Sequence, residues 1–266
     1  MSAGLFILFA IAPTSTTDGA DTELLAATES AFVQATALRH DAAKARPAFA
    51  RAAAGYDELW RRGHHNPDLA LNRADAHRLA GNLPRAVAAL HEGLAVARWS
   101  RPLQVALEDA HSAVSYPLVG DLAAQCRPTP PATIGTRMSP ADAWFAAGAL
   151  WLLACVGVAR FAMTRAGWWL AFAGLAVAAL ALLGGLWLQD ERRREQAGPL
   201  VVLTQDVTLR RGNAEGYPAR LDAKLPRGVE ARALTRRGGW VQVQLAGGVI
   251  GWVPATATLH IGERSV

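Results

Sequence analysis

The sequence predicts a multidomain protein in which α-helical hairpins precede a two-helix transmembrane hairpin and a small all-β barrel. Three observations support this fold class. An Ala-rich region repeats apolar residues at helical spacing, two apolar runs have the length of a bilayer span, and the carboxyl-terminal region alternates apolar and polar residues. At 266 residues, the chain is long enough for two or three such domains.

The amino-terminal segment, residues 1–20, resembles an export signal in its composition. Its apolar core covers residues 4–12, which is too short for a bilayer span but suits a signal sequence. No Lys or Arg precedes this core, and Pro13 disfavours cleavage after Ala12. We therefore expect an export signal, with a disordered start or a misassigned initiation site as the alternatives.

Residues 21–125 are predicted to be helical almost throughout. In residues 66–98, Leu71, Ala74 and Leu79 share one helical face, Gly81 breaks the helix, and Asn82 can cap the next one. Residues 47–63 form a helical pattern before this pair, and another helix is predicted to begin at Pro102. The segment thus predicts a series of packed helical hairpins.

This helical pattern resembles the tetratricopeptide repeat, a 34-residue pair of antiparallel helices. We count between one and a half and two and a half repeats, which are degenerate because Ala70 and His77 replace the family's usual aromatic residues. The resemblance implies that the helices bind partner proteins, and Asn72 and His77 are the candidate binding residues. The matching positions are Asn72, Ala74, Gly81, Ala86, Leu90 and Gly93.

Residues 126–141 are predicted to be a Pro-rich linker without a pattern that could pack, and residues 142–189 a transmembrane hairpin. The two spans are predicted at residues 143–163 and 166–188, after a helix start marked by Ser139, Pro140 and Asp142. The alternative is a buried helix pair of a soluble core. Small residues repeat along one face of the second span and predict close packing against the first span or against a partner's helix. They are Gly167, Ala171, Gly174, Ala178, Ala181 and Gly185.

The orientation of this hairpin is predicted from two opposing signals. The turn between the spans holds Arg160 and Arg165, whereas Arg192, Arg193 and Arg194 follow the second span, so the positive-inside rule alone puts the flanking domains in the cytoplasm. The signal-like amino terminus favours export instead. We expect the inner membrane of a bacterium, with the helical repeats and the barrel on the periplasmic side.

Residues 198–263 are predicted to form short β-strands separated by Gly and Pro turns, and residues 198–266 are expected to fold alone. Their order of features resembles the bacterial SH3-like domain over residues 201–261, with Thr208 where that family commonly has asparagine. Trp240 and Trp252 either pack the core and rim of a small barrel or, with Tyr217, form an aromatic face for peptide or glycan. The matching segments are VTLRRGN (207–213), LPRG (225–228), RGGWVQVQL (237–245) and GVIGWVP (248–254).

The order of these modules resembles the BatE family of bacterial aerotolerance operons. That resemblance implies an envelope protein whose partners include von Willebrand factor A-type proteins and a MoxR-type ATPase. We therefore expect a non-enzymatic membrane-anchored scaffold that binds proteins through its repeats and its barrel. The alternative is a module that binds or senses cell-wall peptide or glycan.

Motifs for catalysis, metal binding and nucleic-acid binding are weak in this sequence. The net charge is +5, but the arginines after the second span are bracketed by acidic residues, which argues against a nucleic-acid surface. His64, His65, His77 and His91 have no Cys or carboxylate at ligand spacing, so solvated or groove-lining roles are expected for them. The two cysteines, with Cys155 in an apolar span, are not expected to pair. We expect no enzyme activity, no cofactor and no metal.

Overall fold

The amino-terminal part of the chain is an array of packed helices. A computed structural model describes residues 16–116, 123, 126–128, 134–196 and 198–262. Successive helices of the array contact each other in chain order. Residues 1–15, most of the signal-like segment, lie outside the described residues. The helices are α1 (Thr16–Ala37), α2 (Ala42–Arg61), α3 (Pro67–Leu79), α4 (Leu83–Val96) and α5 (Arg101–Ser112).

The predicted turn between α3 and α4 is confirmed in its details. Gly81 has a φ of +82°, a left-handed conformation that favours glycine. The Asn82 side chain accepts a hydrogen bond from the Arg85 N–H at 3.4 Å, and Pro84 lies in the first turn of α4. Helical hairpins are therefore present, while membership of the tetratricopeptide repeat family stays a prediction.

Gly93 of α4 lies at a close crossing of α4 with α3 and α5. A Cβ at this position would lie 2.5 Å from the Ala70 Cβ and 3.1 Å from Leu103 Cδ1. Because those distances are shorter than van der Waals contact, only glycine lets α4 approach α3 and α5 this closely. The predicted need for a small residue at Gly93 is confirmed.

Two long apolar helices follow a short helix, α6 (Ile134–Arg137). They are α7 (Pro140–Thr164) and α8 (Trp168–Gln196), and α7 begins with the predicted capping box between Ser139 and Asp142. Both are long and apolar enough to cross a membrane. In the most apolar 18-residue stretch of each helix, only 11% is buried inside the protein. This exposure contradicts the alternative of a helix pair buried in a soluble core.

The α7–α8 contact uses a different face of α8 from the one predicted. A Cβ on Gly157 of α7 would lie 3.0 Å from the Ala173 Cβ, whereas nothing lies within 4 Å of such an atom on Gly174 or Gly185. Ala173 and Ala176 are the buried small residues of α8. The prediction that the Gly174 and Gly185 face packs against the first span is therefore wrong, and packing of this face against a partner's helix stays a prediction.

The carboxyl-terminal part is a five-stranded antiparallel sheet with the order β4-β3-β2-β1-β5. The segment 207–213, which matches the SH3-like pattern, forms isolated bridges at Val207 and Arg210 rather than a regular strand. Strand β5, which pairs with β1, was not predicted. The SH3-like barrel itself stays a hypothesis. The strands are β1 (Leu200–Leu203), β2 (Glu230–Arg237), β3 (Trp240–Leu245), β4 (Ile250–Pro254) and β5 (Thr258–His260).

One face of this sheet forms its core, and alternation decides which residues point there. In β3, Val241, Val243 and Leu245 are buried, whereas Trp240 and the two glutamines lie on the other face. We call that second face the outer face of the sheet.

The helical array covers part of the outer face. Val202 of β1 is fully buried in a cluster with Ala70, Val87, Leu90 and Leu103 of the array. Its cross-strand neighbour is Glu230 of β2. The array and the sheet therefore share a continuous apolar contact.

The predicted linker also packs. Cys126 is 0% exposed and belongs, with Val114, to the core of the sheet. Gln104 of α5 donates a hydrogen bond to the Thr136 carbonyl at 2.8 Å. The expectation of an unpacked linker is wrong at these positions, because apolar side chains near the linker fill the space between the array and the sheet.

Candidate functional site

A group of largely buried polar side chains lies at the junction between the array and the sheet. We call His91, His111 and Glu230 the junction cluster. His91 lies on α4, His111 in the last turn of α5, and Glu230 begins β2. Because α4 packs against α5 above the end of the sheet where β2 begins, both imidazoles reach the same carboxylate.

The geometry of the junction cluster is convergent. The Nε2 atoms of His91 and His111 lie 2.8 Å and 2.6 Å from the same Oε1 atom of Glu230. The ring centroids of the two imidazoles are 6.4 Å apart. The three donor atoms all lie within 4.8 Å of one another, so the cluster could hold a metal ion.

Glu230 is charged although it is 5% exposed. Burial alone raises the pKa of this carboxyl, but hydrogen bonds from His111 and His91, together with the charges of those residues, lower it to about 2. The junction cluster therefore presents a buried anion to two imidazoles.

The phenol of Tyr116 is affected by the charge of this carboxylate. The Tyr116 hydroxyl is buried and has no hydrogen-bond partner within the described parts of the chain. Burial raises the pKa of Tyr116, and the charge of Glu230 raises it further. The hydroxyl is therefore neutral, and it is able to donate or accept one hydrogen bond close to the junction cluster.

Sequence reasoning missed the junction cluster because its members are far apart in the chain. His91 was expected to be solvated or groove-lining, but its side chain is only 21% exposed, and that of His111 15%. A weak signal was present in the sequence, since Glu230 stands between the apolar residues Val229 and Ala231 at the start of a strand. Nothing in that signal identifies the histidines as partners.

The two predicted binding residues of the array differ in their exposure to solvent. Asn72 is exposed on α3, whereas His77 is 6% exposed. The His77 Nε2 lies 3.1 Å from Asp57 Oδ2, so this histidine ties α3 to α2. The prediction of His77 as a partner-binding residue is corrected, because its polar atom faces the interior of the array.

Asp57 is the centre of this buried polar network. Arg73 donates hydrogen bonds to Asp57 and to Glu92 of α4, and its guanidinium lies 5.5 Å from the centre of the Trp60 ring. Burial raises the pKa of Asp57, but His77 and Arg73 lower it to about 2. The network therefore joins α2, α3 and α4 around one ionised carboxylate.

The predicted aromatic residues of the sheet lie away from its core. Trp240 and Trp252 are half-buried on the outer face of β3 and β4, at the end that the array leaves uncovered. Tyr217 is 48% exposed and its ring covers Gly212, where a Cβ would lie 2.5 Å from a ring atom. The two tryptophans therefore do not belong to the core of the sheet, and the interpretation that they pack at its rim stays open.

Arg210 connects two of these aromatic residues. Its Nη1 donates to the Tyr217 carbonyl at 2.8 Å, and its backbone N–H donates to the Trp252 carbonyl at 2.9 Å. Trp240 lines a cleft beside Arg210. Charges of both signs surround this cleft, so it suits a polar or zwitterionic ligand rather than an apolar one. The charged residues of the lining are Asp206, Arg210, Glu215 and Lys224.

Comparison of the chain with models of protein families, with curated proteins and with solved structures found no match.

Proposed function

We propose that this protein is a non-enzymatic, membrane-anchored adaptor of the bacterial cell envelope. The helical array binds a partner protein, and α7 and α8 hold it at the inner membrane. The array and the sheet lie on the periplasmic side. The observation that carries the proposal is that the helical array contacts both the sheet and the polar end of α8, which favours a platform fixed at a membrane surface.

The contact between the array and the hairpin supports this proposal. Asp190, near the end of α8, is 5% exposed and accepts a hydrogen bond from Arg194 at 2.9 Å. Arg98, which follows α4, lies 3.8 Å from Asp190 and 3.5 Å from Glu191. These ion pairs hold the array close to the polar end of α8, where a bilayer would end.

The resemblance to the BatE family supplies the class of partner. By that resemblance, von Willebrand factor A-type proteins and a MoxR-type ATPase system are the candidates. Asn72 is the candidate contact on the array because it is exposed in the middle of α3.

The test is co-purification from envelope membranes with the full chain in detergent. We expect a von Willebrand factor A-type protein to co-purify and the Asn72→Arg variant to reduce its recovery at least tenfold. His40→Arg is the matched control, because His40 is exposed outside α3 and should leave recovery unchanged. No specific partner with the wild-type chain, or equal recovery with both variants, would contradict the proposal.

A second candidate function is binding of cell-wall peptide or glycan, and the cleft beside Trp240 favours it. Half-exposed aromatic rings next to charges of both signs are typical of sites for polar ligands. The full chain should then sediment with purified peptidoglycan sacculi, and Trp240→Ala should abolish sedimentation while Asn72→Arg leaves it intact. The two candidate functions therefore respond to different substitutions.

A further inference from the structure

We propose that His91, His111 and Glu230 form a zinc site that fastens the helical array to the sheet. Two of the ligands come from the array and the third from β2. The inference stands on the geometry of the junction and does not depend on the proposed function.

The identity of the donor atoms is the first argument. Zinc in proteins is bound by imidazole nitrogen and carboxylate oxygen at about 2.0–2.2 Å, and two histidines with one glutamate are a known set for it. Here the two Nε2 atoms and the Oε1 atom face one another. The set contains no thiolate, and it is richer in nitrogen than the oxygen-only sites that Mg²⁺ and Ca²⁺ prefer.

The distances allow a metal after a small adjustment. Around a tetrahedral zinc ion, donor atoms lie about 3.3 Å apart, as follows from bonds of about 2.0–2.1 Å. The two nitrogens now lie 2.8 Å and 2.6 Å from Oε1, so each pair needs to separate by roughly half an ångström. The Glu230 side chain has three rotatable bonds and can supply this movement without a shift of β2.

Burial and charge form the second argument. A carboxylate that is 5% exposed loses most of its hydration, and a dication is a stronger electrostatic partner for it than the imidazole rings are. A water molecule would occupy the fourth zinc position, as it does in other sites with three protein ligands.

The consequence is a metal-dependent connection between the two units. Because the three ligands meet only when the array covers the sheet, zinc binds the assembled protein and stabilises it by mass action. The chain should then be more resistant to unfolding with zinc than without it.

The test uses the full chain in detergent, freed of metal by a chelator and titrated with ZnCl2. We expect one zinc per chain, and a rise of several degrees in Tm. Replacing one of three ligands should weaken binding at least a hundredfold, so His91→Gln, His111→Gln and Glu230→Gln should each abolish the rise in Tm. Cobalt added in place of zinc should give the visible absorption of a four-coordinate site with the wild-type chain but not with the three ligand variants.

His40→Gln is the matched control because His40 is exposed and distant in sequence from all three ligands. This variant should bind zinc as the wild type does. Should a ligand variant fail to fold, the cobalt spectrum and stoichiometry of the wild-type chain still decide the question. Absence of stoichiometric binding, or equal binding by the folded ligand variants, would show that the junction cluster is a hydrogen-bonded contact only.

Discussion

At the scale of single residues, two ionised carboxylates are compensated by partners from neighbouring helices. Asp57 is held by Arg73 and His77, and Glu230 by His91 and His111. Such groups cost several kcal/mol to bury alone, so each depends on the packing that brings its partners. Stability should therefore respond to pH and to substitution at these positions.

Asp57 should make the array sensitive to acid. Its pKa is about 2 in the folded chain, below the ordinary value of 3.8. Its stabilising contribution is thus complete above about pH 4 and is lost as the pH falls toward 2, and its size is about 2 kcal/mol. Asp57→Asn should lower the free energy of unfolding of the full chain at pH 6, and the difference from wild type should shrink toward pH 2.

The control for this experiment is Asp75→Asn. Asp75 pairs with Arg78 in an exposed ion pair on α3, so its loss should change the free energy of unfolding by less than about 1 kcal/mol. A difference between wild type and Asp57→Asn that stays constant with pH would argue against the ionised network.

Gly93 should resist even the smallest substitution. Gly93→Ala places a methyl group 2.5 Å from the Ala70 Cβ, and overpacking of this kind costs about 1–3 kcal/mol. Gly19→Ala is the matched control, because nothing lies within 4 Å of its added Cβ in α1 and alanine favours the helix. Chemical denaturation should show loss of stability for Gly93→Ala only. Equal stability of the two variants would contradict the close crossing.

At the scale of elements, the two faces of the sheet have different roles. One face forms the core, and the outer face contacts either the array or solvent. β3 shows this division clearly, since its valines and Leu245 are buried while Trp240 is not. The outer face is covered by the array at Val202 and Glu230 and left open at Trp240 and Trp252. One surface thus serves both packing and candidate ligand binding.

The difference between the two faces of the sheet predicts different losses of stability when Trp240 and Leu245 are replaced by alanine. Leu245→Ala should cost about 2–5 kcal/mol because it leaves a cavity in the core. Trp240→Ala should cost only about 1–2 kcal/mol, because a half-buried side chain loses less contact. Thermal unfolding followed by circular dichroism would compare them. A larger loss of stability for Trp240→Ala than for Leu245→Ala would show that the Trp240 ring has a structural role.

At the scale of the whole molecule, the array and the sheet depend on each other. Val114 and Cys126 complete the core of the sheet, while Val202 completes that of the array. The proposal that α7 and α8 cross a membrane as a hairpin also implies that both units lie on the same side of it. The docking of the two units and the proposed topology each make a prediction.

The sheet should be less stable alone than in the full chain. A fragment of residues 198–266 exposes Val202 and leaves Glu230 without its histidines. Independent folding of this fragment stays a prediction, and we expect faster hydrogen exchange at β1 and β2 in the fragment than in the full chain. Exchange rates equal to those in the full chain would show that the array contributes nothing to the sheet.

The hairpin topology can be tested with single cysteines in a Cys-free background. An impermeant maleimide on cells with a permeabilised outer membrane should label Gln34→Cys in the array and Asp222→Cys in the sheet. It should spare Thr164→Cys at the turn. All three positions are exposed, so accessibility depends on the membrane alone. Labelling of Thr164→Cys only would reverse the proposed orientation, and different results for the array and the sheet would refute the hairpin.

The sequence by itself determined the features that depend on neighbouring residues. Gly81 and Asn82 mark a helix boundary, Ser139 and Asp142 form a capping box, and the alternation in β3 shows which residues enter the core. Backbone conformation and side-chain periodicity are local, so short spacings predict them. The membrane-length helices follow from composition in the same way.

Tertiary structure alone decided what the outer face of the sheet contacts. Alternation puts Glu230 on that face, but it does not show that α4 and α5 cover it with His91 and His111. It also gives no sign that Cys126 enters the core of the sheet or that His77 faces Asp57. These contacts join residues that are distant in the chain, and their energy comes from the docking of one unit on another. No local pattern encodes such docking, because it depends on how two surfaces fit together.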